Sequence, residues 1–126
     1  MKKVNFLVAG MFFLLLSMGL HAQTKTGADY FAGKWNVVVT GTPNGDATMI
    51  FNLEKKDSTL TGVIVDTTGT EIAEISGCNL KDTELILYFN ASGYDVNLVM
   101  NIKDDNHVTG SLLGMFVAEG ERIKEN

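Results

Sequence analysis

Glu84-Leu85-Ile86-Leu87-Tyr88-Phe89-Asn90-Ala91-Ser92-Gly93-Tyr94-Asp95-Val96-Asn97-Leu98-Val99-Met100-Asn101-Ile102-Lys103 contains two alternating runs separated by a Ser-Gly pair. Successive residues of an extended chain face opposite sides. Leu85, Leu87 and Phe89 therefore share a face opposite Glu84, Tyr88 and Asn90. Val96, Leu98, Met100 and Ile102 share one opposite Asp95, Asn97, Asn101 and Lys103. One apolar and one polar face, closed by a short Gly-containing turn, is the signature of an antiparallel hairpin half buried against a core.

The same rhythm extends in both directions. Met49, Phe51 and Leu53 oppose Thr48, Asn52 and Glu54, and Val108, Gly110 and Leu112 oppose Thr109 and Ser111. The pattern predicts eight strands, over Lys34–Thr40, Ala47–Glu54, Thr59–Asp66, Thr70–Gly77, Glu84–Asn90, Asp95–Lys103, His107–Gly114 and Phe116–Ile123. Alternation is poor in the third and fourth, which leaves them unphased. Ala28–Ala32 predicts one helical turn ahead of the first strand. The connections are short and rich in Gly, Asn and Asp; Pro43-Asn44-Gly45-Asp46 carries Asn-Gly, a strong hairpin signal. Lys56-Asp57-Ser58-Thr59-Leu60-Thr61-Gly62 is echoed by Asp104-Asp105-Asn106-His107-Val108-Thr109-Gly110, a charged turn leading an apolar residue into a strand. The irregular period indicates recurrent hairpins and not a solenoid. Eight sequential strands with short connections predict an all-β, antiparallel up-and-down barrel, which leaves no unpaired edge. A β-sandwich is the alternative, although it ordinarily needs longer crossing connections.

The N-terminus reads differently. Lys2-Lys3 precedes an uncharged apolar run from Phe6 to Leu20, followed by Leu20-His21-Ala22-Gln23. Charged start, apolar centre and small residue at the break are the order of a secretory signal, and about 15 residues is short of the ~20 that a helix needs to span a bilayer. The expected organisation is a signal peptide over 1–22, an N-terminal segment over 23–32 and a barrel domain over 33–126, with a secreted or periplasmic destination and no membrane span after cleavage. Cleavage after Ala22 leaves 104 residues and, by removing Lys2 and Lys3, takes the formal charge from −5 to −7. An acidic chain is repelled by nucleic acid and by anionic lipid surfaces. The one cysteine, Cys78, forms no internal disulfide, so packing alone must hold the fold.

Gly33-Lys34-Trp35 opens the first strand and Arg122 lies on the last. With eight strands and an apolar leader, these residues resemble the lipocalin and calycin arrangement, in particular small exported bacterial lipocalin-like proteins. The resemblance implies barrel closure by Gly33, Trp35 and Arg122, with the guanidinium across the indole. It implies fold more than activity. The mature chain is short for a lipocalin and lacks the usual disulfide.

Residue patterns for chemistry are sparse. His107 is the single histidine after the leader and sits beside an Asp-rich turn, whereas zinc sites want several His or Cys ligands. Asp104-Asp105-Asn106 lacks the twelve-position ligand spacing of a calcium loop. Glu71 and Glu74, in the unphased strand, are the sole candidates for inward carboxylates. The expectation is a non-enzyme without metal or cofactor. The apolar face suggests a cavity lined by Met49, Phe51, Leu87, Phe89, Leu98, Met100 and Phe116, and hence a small hydrophobic ligand. Large side chains filling the interior compete with that reading. The alternative function is a secreted protein-interaction module such as a protease inhibitor, with Gln23–Asp29 as an arm toward the partner protein.

Overall fold

The alternating runs at 84–103 pair as two antiparallel strands, β5 (Glu84–Ala91) and β6 (Tyr94–Asp104), in the register Leu85↔Met100, Leu87↔Leu98, Phe89↔Val96 and Ala91↔Tyr94 in a computed structural model of the chain. Ser92 and Gly93 close them with φ of 53° and 85°, the double left-handed turn whose twist matches that of the strands it joins. The structure describes residues 25–124; the expected signal peptide over 1–22, its expected cleavage point and Gln23-Thr24 lie outside them.

Six more strands complete a closed barrel in simple sequence order: β1 (Gly33–Thr42), β2 (Gly45–Lys56), β3 (Thr59–Val65), β4 (Glu71–Leu80), β7 (His107–Leu112) and β8 (Phe116–Ile123). All neighbours are antiparallel, and β8 closes on β1 through Trp35↔Arg122, Val37↔Gly120 and Val39↔Ala118. The up-and-down barrel is therefore the fold, not the sandwich. A short helix, α1 (Gly27–Phe31), precedes β1. It crosses one end of the barrel, where Gly27 N donates to Asp82 O at 2.9 Å and Asp29 pairs with Lys55 at 2.8 Å. The turns β2–β3, β4–β5 and β6–β7 lie at that closed end; β1–β2, β3–β4, β5–β6 and β7–β8 lie at the open end.

Local departures from the expected pattern have identifiable causes. In β4 the register slips between Ile75 and Gly77. This bulge resets the alternation, so Ala73 and Ile75 pack inward before it and Cys78 and Leu80 after it. The strand consequently continues to Leu80 and does not stop at Gly77, and Cys78 lies within it. In β3 the inward phase is Leu60, Gly62 and Ile64, while Val63 and Val65 face out, which blurs the contrast. Pro43 and Asn44 form the β1–β2 tip, and Gly45 opens β2 with φ +95°, with Thr42 opposite it. Asn-Gly thus marks the hairpin one residue before the expected place.

Candidate functional site

The closed end is sealed by a stack built on Trp35. Its indole is fully buried, and Nε1 donates to Phe31 O at 2.9 Å, which ties the last residue of α1 to β1. Phe31 and Tyr30, both buried, complete an aromatic plug; their rings meet edge to face at 5.0 Å. The alternation Phe116, Ala118, Gly120, Arg122 brings the guanidinium of Arg122 over the end of the barrel. There it lies 4.4 Å from the Trp35 ring and 4.9 Å from that of Tyr30, cation-π contacts on both. Its Nη1 donates to Ala32 O at 3.2 Å and its Nη2 to Tyr30 O at 2.9 Å. Gly33 contributes backbone freedom more than space: its φ is +123°, and an added Cβ would sit an ordinary 3.5 Å from Arg122 Nη1.

The β6–β7 turn locks this stack from outside with four successive carbonyls. Tyr30 Oη donates to Asp104 O at 2.5 Å, with His107 O also 3.0 Å away. Arg122 Nε and Nη2 donate to Asp105 O at 3.3 and 3.1 Å, and the Arg122 backbone N donates to Asn106 O at 2.8 Å. Asp104 Oδ1 accepts from Asn106 N at 2.9 Å and approaches His107 Nδ1 at 2.7 Å. These contacts, the backbone N–H first, hold the Asp104 carboxyl below its usual range. Burial pushes the Tyr30 phenol upward, opposed by Arg122. A raised phenol pKa favours the protonated folded state, so stability is complete below the unfolded value of 10.0 and falls as pH rises through the folded one. Urea midpoints taken across that alkaline range should decline, and should decline less in Tyr30→Phe; equal slopes would show that the phenol does not drive the loss.

Above the plug the barrel is filled. Of the seven side chains expected to line a cavity, Phe51, Leu87, Phe89, Leu98 and Met100 are all buried among themselves and Trp35, Leu53, Ile64 and Leu85. Phe51 and Phe89 meet edge to face at 5.9 Å, bridging the interior from β2 to β5. Only Met49 and Phe116 of the seven remain half-buried; both stand at the open end. Ala91, Val96 and Leu112, in the open-end parts of β5, β6 and β7, are likewise only partly buried against the core. The open end therefore presents partly covered apolar side chains above a packed floor. Sequence alternation assigns phase but not depth, and so could not separate mouth from floor. It also left Tyr30, Phe31, Leu60, Ile64 and Ile75 unassigned, although all five are buried.

The remaining candidates are on the outside. Glu71 and Glu74 are both exposed and do not enter the barrel, contrary to the possibility left open by the unphased strand. His107 is exposed between Asp104 and, at 3.8 Å, Glu121, and no metal-ligating cluster occurs among the described residues. Cys78 is half-buried, with Sγ 3.2 Å from Thr59 Oγ1. A solvent-open depression of about 400 Å³ flanks the plug beside Lys25, Asp29 and Arg122, but Arg122 is already engaged by carbonyls. The expected arm Gln23–Asp29 is tethered from Gly27 onward by α1 and its contacts with Asp82 and Lys55. No protein-family model matches the chain, and no curated protein matches it significantly. Function is therefore argued from the two ends of the barrel.

Proposed function

We propose that the protein is an exported, lipocalin-like binding module that holds a small hydrophobic ligand in the open mouth of its barrel. The observation that carries this reading is the contrast between the ends. One is sealed by Tyr30, Phe31, Trp35 and Arg122, while at the other Met49, Val96, Leu112 and Phe116 leave apolar surface half open. The Gly33-x-Trp35 strand with Arg122 stacked on the indole supports the lipocalin-like assignment, and the apolar run Phe6–Leu20 supports export. The ligand enters only to the Phe51–Phe89 floor, so it is short or leaves part of itself in solvent. Met49 supplies an adaptable wall and Phe116 a rigid one.

Titration with an environment-sensitive fatty-acid dye tests this. The expected result is displaceable binding at about one dye per chain, weakened at least about tenfold in Phe116→Asp, because a buried carboxylate opposes the apolar contact. A Phe116→Leu control should retain binding. Absence of displaceable dye binding, or equal affinity in Phe116→Asp, would refute the mouth as the site. Native mass spectrometry of protein from its own host would give the mass of any resident ligand.

A further inference from the structure

All six large apolar side chains that the described surface exposes lie in the open half: Ile72 at the start of β4, Tyr88 on β5, Tyr94 at the start of β6, Leu113 and Met115 in the β7–β8 loop, and Val117 at the start of β8. Tyr94 and Met115 are the most open, at 73% and 68% exposed. Scattered single apolar residues need no explanation, but a group confined to the open half of the barrel, from β4 to β8, does. Leu113 sharpens the point. Its backbone has φ +57°, a conformation that costs a non-glycine residue about 1 kcal/mol or more, and its side chain still leaves 39% of its surface exposed. A turn selected only to connect β7 to β8 would place Gly or Asn there.

Charge is divided along the same axis. Every lysine and the arginine of the described residues sit at the closed end: Lys25, Lys34, Lys55, Lys56, Lys81, Lys103, Arg122 and Lys124. The ion pairs Lys55–Asp29 and Lys81–Glu84, and His107 with its two carboxylates, are there too. Among the described residues the open half carries Asp46, Asp66, Glu71, Glu74, Asp95 and Glu119 and no basic residue. Asp66 is held ionised by its own loop, whose Thr68 hydroxyl and Thr68 and Thr70 N–H groups donate to Oδ1 at 2.6 to 3.0 Å. An apolar ring inside a one-signed field attracts a partner of opposite sign that also brings apolar surface.

We infer that the open end is a docking surface for a basic polypeptide segment that presents apolar side chains to the rim. The inference shares with the proposed ligand reading only the choice of the open end as the binding face. The exposed rim residues on β4, β6 and the β7–β8 loop are distinct from the half-buried set assigned to the ligand. The carboxylates oppose an anionic membrane as its partner.

The test is fluorescence anisotropy with a labelled synthetic peptide of about sixteen residues that alternates lysine with leucine and phenylalanine. The same peptide with glutamate for lysine, and one with serine for the apolar residues, are the comparisons. The basic apolar peptide should bind at least about tenfold more tightly than either, and should weaken about fivefold as salt rises from about 0.05 to 0.5 M. Glu71→Lys/Asp95→Lys and, separately, Met115→Ser/Val117→Ser should each weaken it about tenfold, while Lys81→Glu at the closed end should not weaken it. Equal affinity for the acidic and basic peptides, no binding, or binding to neutral phosphatidylcholine vesicles in its place would overturn the inference. Dye binding in the mouth should survive Glu71→Lys/Asp95→Lys. Intact dye binding with no peptide binding therefore refutes docking alone, and the converse refutes the ligand reading alone.

Discussion

Trp35→Ala should destabilise the barrel by about 3–5 kcal/mol, the usual cost of deleting a buried aromatic side chain. For a domain of this size, whose total stability is about 5–15 kcal/mol, that is a large share of the whole. The void would open beneath Arg122, between α1 and the closed end, and would leave Phe31 O without the indole donor. Arg122→Ala should cost about 2–4 kcal/mol, because it removes charge-assisted bonds to the carbonyls of Tyr30, Ala32 and Asp105. The two losses should not add. The guanidinium lies 4.4 Å from the indole, so the double variant should be more stable than the sum predicts by about 1 kcal/mol. Arg122→Lys should rescue little, since an ammonium cannot stack on two rings while donating to three carbonyls. Urea unfolding followed by circular dichroism measures all four proteins; tryptophan fluorescence cannot, because Trp35 is the only tryptophan. Strict additivity would show that Trp35 and Arg122 fill the end independently and that the stack is not a unit.

Why some of this was legible in the sequence and some was not follows from what alternation encodes. A strand with one wet face writes its phase into every second residue, so β5, β6 and β8 could be read directly, including the inward direction of Arg122. β4 could not, because the bulge after Ile75 shifts the phase in mid-strand and no composition rule marks it. Depth along the barrel is not written at all. Met49 and Phe51 are two residues apart on one strand and share a phase, yet one borders the mouth and the other is the floor. Separating them requires the strand register, which depends on where each turn falls. The rim was obscured for a related reason: Tyr94, Leu113 and Met115 have core composition, and their position at the first residue of β6 or beyond the ends of β7 and β8 exposes them. Conversely, Gln23–Asp29 reads as an arm by its sequence, but Gly27 and Asp29 are fixed by two contacts to distant parts of the chain that no local pattern reveals.

Gly110→Ala should be among the most damaging single-methyl changes the barrel can receive. A Cβ at that position would lie 1.7 Å from Val99 O and 2.6 Å from Val99 C, in the backbone of the preceding strand. Backbone cannot yield as a flexible side chain can, so strands β6 and β7 would have to part. A cost of about 3 kcal/mol or more follows, at or beyond the top of the usual range for overpacking. Gly62→Ala should behave alike, with its Cβ 2.0 Å from Asn52 O. The equivalence is the structural content of the sequence echo: Leu60-Thr61-Gly62 and Val108-Thr109-Gly110 each follow a closed-end hairpin, bury the apolar residue and bring the glycine against the previous strand. Glycine inside a strand marks such close backbone approach and permits the bend by which a sheet closes on itself. Gly120 provides the contrast. A Cβ there meets side chains, Val108 Cγ2 at 2.7 Å and Val37 Cγ2 at 3.3 Å, so Gly120→Ala should cost only about 1–2 kcal/mol. Val108→Ala in the same chain should relieve part of that cost, whereas it should do nothing for Gly110→Ala. Urea midpoints for the three alanine variants and the two pairs decide the matter. If Gly110→Ala unfolds at the same midpoint as the natural chain, the close approach of β6 and β7 is not required for closure, and the echo reduces to two similar turns.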